Sequence, residues 1–548
     1  MPSVRAALFG LLSGLFIHLP CSAWAETSAG ANSLFVQAVK GFQSAEDISG
    51  EDIASAKLRL EVLDEVDTAL KTIVEEHSGS DLAVSLVIGE TVGPLSIEIV
   101  RLARRSAELD FRLAQCSSAP SAECLLNTAL DNVSDMKREN QDSWLRDIAS
   151  AQAHAGLFDQ SQETAKSISS TLDQQKALTA ISISLAEAGH IDQALSMATT
   201  LADESLSSDA YKAIVTSEIE LNNLEQAKNF LAKVTDQYQH QNALIDLATA
   251  LAEKGAVAQA LALLTELDDY WRSAGMRDVV AVQVRDGDYE AALETARDIP
   301  TPLYFCEAET KVAIAVDDHE MIEKIVAIAQ SMSIANDKEN CLRTIGIQTA
   351  RADILAEARG LAIESGGLAL WYGMVDELDA GLFDEGVKSA SAADTEEHRS
   401  ESFRLVALKT IEAGKTEYAL RSLPYLKPDH EADVRGMLWS IDGRAEHVDR
   451  LAAIAREIEN EDVSYGAVLS QGAVYSFILN VDNVARLHQA ADIAAAIPDD
   501  SLRNGALTAI AETYAKSGLY AEAIQIIRRM EPQGELVSAL VDVGSLMK

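Results

Sequence analysis

The chain has 548 residues, 48% hydrophobic but only 5% aromatic, with a formal net charge of -41. That length and an Ala/Leu-rich composition favour a large, close-packed helical core over sheets. So acidic a surface repels phosphate backbones and anionic headgroups, so nucleic acid is excluded as a partner; a basic protein partner or plain solubility fits better.

Residues 1–25 read as a cleaved export leader. Arg5 is the only early charge, "AALFGLLSGLFIHL" is the apolar centre, and Ala23-Trp24-Ala25 sets the cut after Ala25. A lipoprotein cut at Cys21 is disfavoured by Pro20, which stands where a small residue is needed. The nearest approach to a membrane span, residues 82–100, is broken by Glu90, Gly93 and Pro94, so no membrane insertion is expected. These features predict a periplasmic protein.

Residues 26–139 are expected to form an N-terminal helical cap, with a long amphipathic helix over 53–77 and further helices around 80–90 and 95–116. Beyond the leader stand Cys116, Cys124, Cys306 and Cys341. An even count in an oxidising compartment suggests two disulfides, and three pairings are open. The simplest joins Cys116 to Cys124 and Cys306 to Cys341, with free buried thiols the alternative for the second pair.

From 140 to 548 the chain repeats. Gly156, Gly189, Asn222 and Gly255 fall 33 residues apart, Gly287 follows after 32, and Gly381 and Gly414 again differ by 33. Asparagine is the second-best residue for a left-handed helix end, so Asn222 fits a glycine slot. Counting from each glycine, apolar residues recur 11, 8, 7 and 4 places before it, as at Leu178, Ile181 and Leu185. That spacing is one face of a first helix. After the glycine, a bulky residue stands at +2 (Ile191, Leu224, Tyr289), a small one at +5 (Ala194, Ala227, Ala292) and an apolar one at +12. This is a second helix, and the small +5 residue lets it approach the first closely. Pro300, Pro302, Pro424, Pro428 and Pro532 follow the second helices, where a missing N–H costs least. Weaker hairpins turn near Asp317 and Arg351. The pattern predicts an all-α solenoid of about twelve stacked hairpins with a period near 33 residues.

One joint, "DGDYEAALETARDIP" (286–300), crowds Asp286, Asp288 and Glu290 around Gly287. A calcium loop needs a D-x-D-x-D-G pattern with a later Glu, which is absent, so the acids read as a solvated turn. Its segment "GDYEAAL" resembles the inter-helix segment of a tetratricopeptide repeat, a family with a period of about 34 residues. The small +5 residue matches that family's small position in its second helix. The chain departs from it at +12, which is large and apolar, and at the start of the first helix, where the usual aromatic is mostly missing. The resemblance covers roughly 140–548 and implies helical hairpins that bind proteins or peptides.

Motifs for chemistry are sparse. The histidines lack metal-site spacing, and there is no G-x-S-x-G, P-loop or G-x-G-x-x-G, so no metal, cofactor or catalytic residue is expected. "IESGG" (363–367) is similar to the Glu-Ser start of lytic transglycosylase sites, with Glu364 as the acid, but the family's next segment is missing. The acidic stretches 394–401 and 456–464 read as solvated helix or loop faces. The expectation is a non-enzymatic periplasmic scaffold that holds a protein or extended peptide on a concave face of first helices. Arg146, Lys176, Asp209 and Asn242 are the candidate contacts. A degenerate enzyme domain of peptidoglycan metabolism is the alternative, and a spacer without partner the third reading.

Overall fold

Helix signals dominate the chain locally, and the computed structural model contains 29 α-helices and no β-strand among its described residues. It describes residues 25–50, 52–134, 136, 141–459, 484–495, 497, 500–530 and 534–547. Residues 1–24, nearly all of the leader expected over 1–25 and Cys21 with it, therefore lie outside the described residues. Among those described, no helix is long and apolar enough to cross a membrane. Two compact units divide between Ala119 and Pro120.

The first unit contains α1 (Ala25–Asp47), α2 (Ile53–Glu76), α3 (Asp81–Val87) and α4 (Ile97–Ser118). Helix α2 realises the amphipathic pattern of 53–77 and starts at a capping box. Asp52 accepts from Ser55 N at 2.8 Å while Ser55 Oγ accepts from Asp52 N at 3.2 Å. Its buried stripe, Leu63, Val66, Leu70 and Ile73, packs against α1 and α4. The apolar stretch 82–100 divides as its Gly and Pro residues imply, into α3, a turn closed between Val92 and Leu95, and the start of α4.

The second unit opens with α5 (Ala122–Ser134) and continues in pairs. These are α6 (Gln141–His154) with α7 (Phe158–Ser167), α8 (Thr171–Glu187) with α9 (Ile191–Ala198), and α10 (Glu204–Glu220) with α11 (Leu224–Leu231). Next come α12 (Gln237–Glu253) with α13 (Val257–Leu264), α14 (Asp269–Asp286) with α15 (Tyr289–Arg297), and α16 (Pro302–Ala315) with α17 (His319–Ser331). Then follow α18 (Ala335–Thr349) with α19 (Ala352–Ser365), α20 (Gly367–Asp379) with α21 (Phe383–Ser391), α22 (Glu396–Glu412) with α23 (Thr416–Ser422), and α24 (Pro428–Asp442) with α25 (Ala445–Glu459). After α26 (Val484–Ala495), the pair α27 (Asp500–Lys516) and α28 (Tyr520–Ile527) precedes α29 (Gly534–Ser545). Through α24, each first helix packs on its own second helix and on the next first helix, most thinly between α18 and α20.

Most joints share one hydrogen-bonded turn: a left-handed residue stands one or two places after the helix, and the N–H of the next residue reaches back five; at Gly443, Arg444 N instead bonds Asp442 Oδ1 at 2.9 Å. His190 N donates to Leu185 O at 2.8 Å, Asn223 N to Glu218 O at 2.7 Å and Asp288 N to Gln283 O at 2.9 Å. Gly287 has φ 86° and Asn222 φ 64°, as their slots require. The joint of 286–300 is thus a helix end: Asp286 pairs with Arg285 at 3.2 Å and Asp288 opens α15. In the weaker hairpins the left-handed residues are Asp317 (φ 56°) and Ala350 (φ 52°), the latter one place before Arg351.

Size is exchanged across the hairpins. A small +5 residue generally goes with a larger one four places before the joint, as Ala194 with Leu185, Ala260 with Leu251 and Gly386 with Glu377, and at Gly386 an added Cβ would meet Leu378. In the hairpins turning at Asp317 and Ala350 the order inverts: +5 is Ile322 or Leu355, and the earlier position is Ala313 or Gly346. A Cβ on Gly346 would sit 2.8 Å from Leu355 Cδ2, so the glycine makes the room that its partner takes.

A second regularity ties successive hairpins together. The residue 14 places before the joint binds the backbone N–H at the start of the next first helix. Gln175 accepts from Asp203 N at 2.9 Å, Ser208 from Asp236 N at 3.0 Å, Ser273 from Thr301 N at 3.2 Å and Ser400 from Lys427 N at 2.7 Å. Asp142 does the same for Ser169 N and Ser170 N. Helix N-termini carry orphan donors, and these side chains satisfy some of them from a neighbouring repeat.

The two ends of the second unit meet. Leu540, Val543, Gly544 and Met547 of the last segment repeat the phase of Leu507, Ile510, Ala511 and Tyr514, so α29 is a further first helix. It packs on α27 before it, and also on α5 and α6 at the unit's start. Helix α5 packs on it as a second helix packs on its first, with Leu126 against Gly544. That pairing explains why the units divide at 119/120, whereas the repeat period alone sets a boundary at 139/140.

The four cysteines form two pairs at disulfide distance. Cys306 of α16 is bonded to Cys341 of α18, with Cα atoms 5.6 Å apart, and Cys116 and Cys124 are each disulfide-bonded. The Cys306–Cys341 bond closes a separation of 35 residues. Replacing both of its cysteines by Ser is expected to destabilise this region by about 2–4 kcal/mol. Hydrogen exchange in α16 and α18 of the oxidised protein checks it, and unchanged protection there would show that the bond adds nothing.

Candidate binding surface

The first helices bury one face against their own and neighbouring hairpins and leave positions 13, 10 and 9 places before the joint on another. Lys176 of α8, Asp209 of α10 and Asn242 of α12 share the first of these positions, and Arg146 of α6 lies one turn further on. Their surroundings differ. Arg146 is half-buried and bound at both ends, Nε to Asp147 at 2.9 Å and Nη1 to Asp173 on the next first helix at 2.8 Å. The hydrogen bond to Asp147 leads in raising its pKa further, against burial. Asp209 accepts from Gln239, and Asn242 Nδ2 donates to the Tyr238 carbonyl of its own helix at 2.7 Å. Lys176 is exposed and makes no ion pair among the described residues.

The same face carries a feature that the sequence reading missed. Tyr238, Trp271, Tyr270 and Tyr304 form a continuous edge-to-face run over α12, α14 and α16. Ring centroids are 5.4 Å apart for Tyr238–Trp271, 5.7 Å for Trp271–Tyr270 and 5.6 Å for Tyr270–Tyr304. Tyr238 is 64% and Tyr270 54% exposed, so the run offers ring surface to solvent. Tyr304 occupies the position of Lys176, Asp209 and Asn242 in its own repeat, and Tyr238 and Tyr270 both stand 17 places before their joints. That shared register was the available signal; in a chain so poor in aromatics, four on one face are a concentration.

Charge at this patch is held in pairs. The Arg277 guanidinium lies 5.2 Å over the Tyr304 ring and bonds Asp278 at 2.8 Å and Glu307 at 3.5 Å. Burial, with Tyr270 beside it, pushes the Tyr304 hydroxyl well above its ordinary range, so it stays a donor at neutral pH. Burial raises the Asp246 carboxyl, Lys212 opposing and Asp278 assisting. Rings with exposed faces beside a neutralised arginine suit peptide groups, prolines and aromatic side chains, the partners that Tyr-, Trp- and Arg-rich interfaces take.

Glu364 is exposed in the last turn of α19. Among the described residues, no group of three His, Cys, Asp or Glu side chains is placed to hold a metal ion. The acids of 394–401 are engaged locally, Asp394 with His398 at 2.8 Å and Glu401 with His430 at 2.9 Å; 456–464 lies mostly outside the described residues.

No family model matches this chain, and no curated protein matches it. Among solved structures, it is similar to the crystal structure of Ton1535 from Thermococcus onnurineus NA1, at 14% identity and a TM-score of 0.19, over 72% of this chain and 98% of that one. It is also similar to a circular tandem repeat protein with novel repeat topology and enhanced subunit contact surfaces, at 15% identity and a TM-score of 0.11, over 94% and 98%.

Proposed function

We propose that this chain is an exported, non-enzymatic scaffold whose second unit is an α-solenoid of tetratricopeptide-like hairpins, closed end to end, that captures an extended protein segment on its first helices. The observation that carries this reading is the exposed run Tyr238–Trp271–Tyr270–Tyr304. Export is supported by the leader pattern ending at Ala25, and an oxidising compartment, the periplasm, by disulfide bonding of Cys116, Cys124, Cys306 and Cys341. Arg146, Lys176, Asp209 and Asn242 extend the same face toward the start of the unit and would contact the remainder of a long segment. Large aromatic anchors beside arginine usually dominate such interfaces, each costing more than about 1 kcal/mol when truncated.

The test is site-specific photo-crosslinking in the native envelope from position 270, with position 425, an exposed tyrosine on another part of the unit, as control. One or two reproducible protein partners at 270, absent at 425 and reduced at least tenfold by Trp271→Ala with Tyr304→Ala, are expected. Equal capture at both positions, or capture indifferent to the ring deletions, would remove the surface from consideration. Hydrolysis of purified peptidoglycan that disappears in Glu364→Gln would replace the scaffold by an enzyme.

A further inference from the structure

Consecutive hairpins are elsewhere joined by several residues, and the next first helix commonly starts at a side-chain cap such as Ser170, Asp203, Asp236, Asp268 or Thr395. Between α19 and α20 a single residue, Gly366, does this work. Its φ of 108° and ψ of 169° belong to a backbone region that glycine alone adopts readily, and α20 starts there without a side-chain cap. The helix is displaced from the stack, with thin contact to α18, and Leu368 in its first turn is left 74% exposed.

The displacement opens a cavity of about 410 Å³ between α20 and α22, within the size range of small-molecule sites. Its walls include Leu370, Trp371, Met374, Ala392 and Ala393. Asp394, His398 and Glu401 also line it, and so does Ser402. Ser402 is only 5% exposed, and its hydroxyl makes no hydrogen bond among the described residues. On the wall of an open cavity that hydroxyl is available to a ligand. The carboxylates are answered mainly by histidines: Asp394 by His398 at 2.8 Å, Glu401 by His430 at 2.9 Å and by Arg404 at 3.3 Å, the arginine being shared with Asp433 at 2.7 Å. The lining thus holds two carboxylates and no lysine or arginine.

We infer that this cavity binds a small aromatic amine, its ring against Trp371 and the apolar wall, one ring N–H or O–H bonded to Ser402, and its ammonium between Asp394 and Glu401. A largely apolar pocket with the Ser402 hydroxyl inside and carboxylates in its lining is complementary to that chemistry and repels the matching carboxylate. The site is separate from the aromatic run on α12, α14 and α16, so either assignment stands or falls without the other.

Calorimetric titration of the full chain at pH 7.5 with tryptamine and with indole-3-propionate tests it. The two share a ring and differ in the sign of the side-chain charge. Saturable tryptamine binding at least tenfold tighter than that of indole-3-propionate is expected. Ala392→Trp, which fills the cavity, should abolish it with unchanged hydrogen-exchange protection of α20 and α22, and Ser402→Ala should weaken it three- to tenfold. No saturable tryptamine binding, equal binding of the acid, or tryptamine affinity unchanged by these substitutions would overturn the proposal. The comparison of the two ligands on the unsubstituted protein decides even if Ala392→Trp fails to fold.

Discussion

Arg359→Leu is expected to destabilise the centre of the second unit by about 3–5 kcal/mol, the cost of leaving buried charges without their partner. The Arg359 side chain is 11% exposed. Its Nη2 donates to Glu377 at 3.0 Å and Glu385 at 2.8 Å, and its Nε to Ser389 at 2.7 Å. Ser389 in turn donates to the second oxygen of Glu377 at 2.6 Å. Burial raises the Glu377 carboxyl despite Ser389 and Arg359; at Glu385 burial also pushes upward, but hydrogen bonds from Lys388 and Arg359 outweigh it and the net shift is downward. Leucine would keep the bulk and remove every donor.

A pH signature follows from the raised Glu377. A carboxylic acid with a folded pKa above its unfolded value of about 4.3 binds the proton more tightly in the native state. Its native preference is therefore full below that value and lost as pH rises through the folded pKa. In Arg359→Leu that shift grows, so the variant should regain stability relative to wild type as pH falls from 7 toward 5. Replacing Glu377 and Glu385 by Gln in the same chain should recover most of the loss at pH 7. Long repeat arrays unfold in parts, so the readout is hydrogen exchange in α19, α20 and α21 rather than a single melt. Protection within about 1 kcal/mol of wild type would show that the cluster is not a support.

Deleting residues 534–548 should have the larger effect, and its location matters more than its size. Leu536, Val537, Leu540 and Val543 of α29 are almost wholly buried. At roughly 1.5–3 kcal/mol for each large apolar side chain, their loss amounts to something on the order of 10 kcal/mol of burial. In an array with free ends, only α27 and α28 would lose protection. Here α29 also covers α5 and α6, so the first helices of the unit should become exchange-labile together with its last. Unchanged protection of α5 and α6 in the truncated chain would contradict end-to-end closure. Gly534 lies against Trp144, whose fluorescence offers a second readout.

The joints were legible because a left-handed helix end is a property of one residue and its immediate neighbours. A glycine at Gly189, Gly255 or Gly287 and an asparagine at Asn222 declare it without reference to the rest of the chain. Ala350 was not legible in this way: its Cβ opposes the conformation, and what accompanies it is the turn bond from Arg351 N to Gly346 O at 2.9 Å and the packing of Leu355 over Gly346. Of the candidate surface, the sequence supplied the register of Lys176, Asp209 and Asn242, but not that Arg146 is already paired to Asp173 or that rings from three helices meet edge to face.

By itself, then, the sequence determined the helices, the turns between them and the face each helix buries, since these depend on residues within a turn or two of one another. The tertiary structure decided which helix completes which hairpin. Leu540, Val543 and Gly544 mark α29 as a first helix, yet its second helix, α5, lies at the far end of the unit. The choice rests on the fit of Leu126 to Gly544, a complementarity of size that depends on distance in space and leaves no period in the chain.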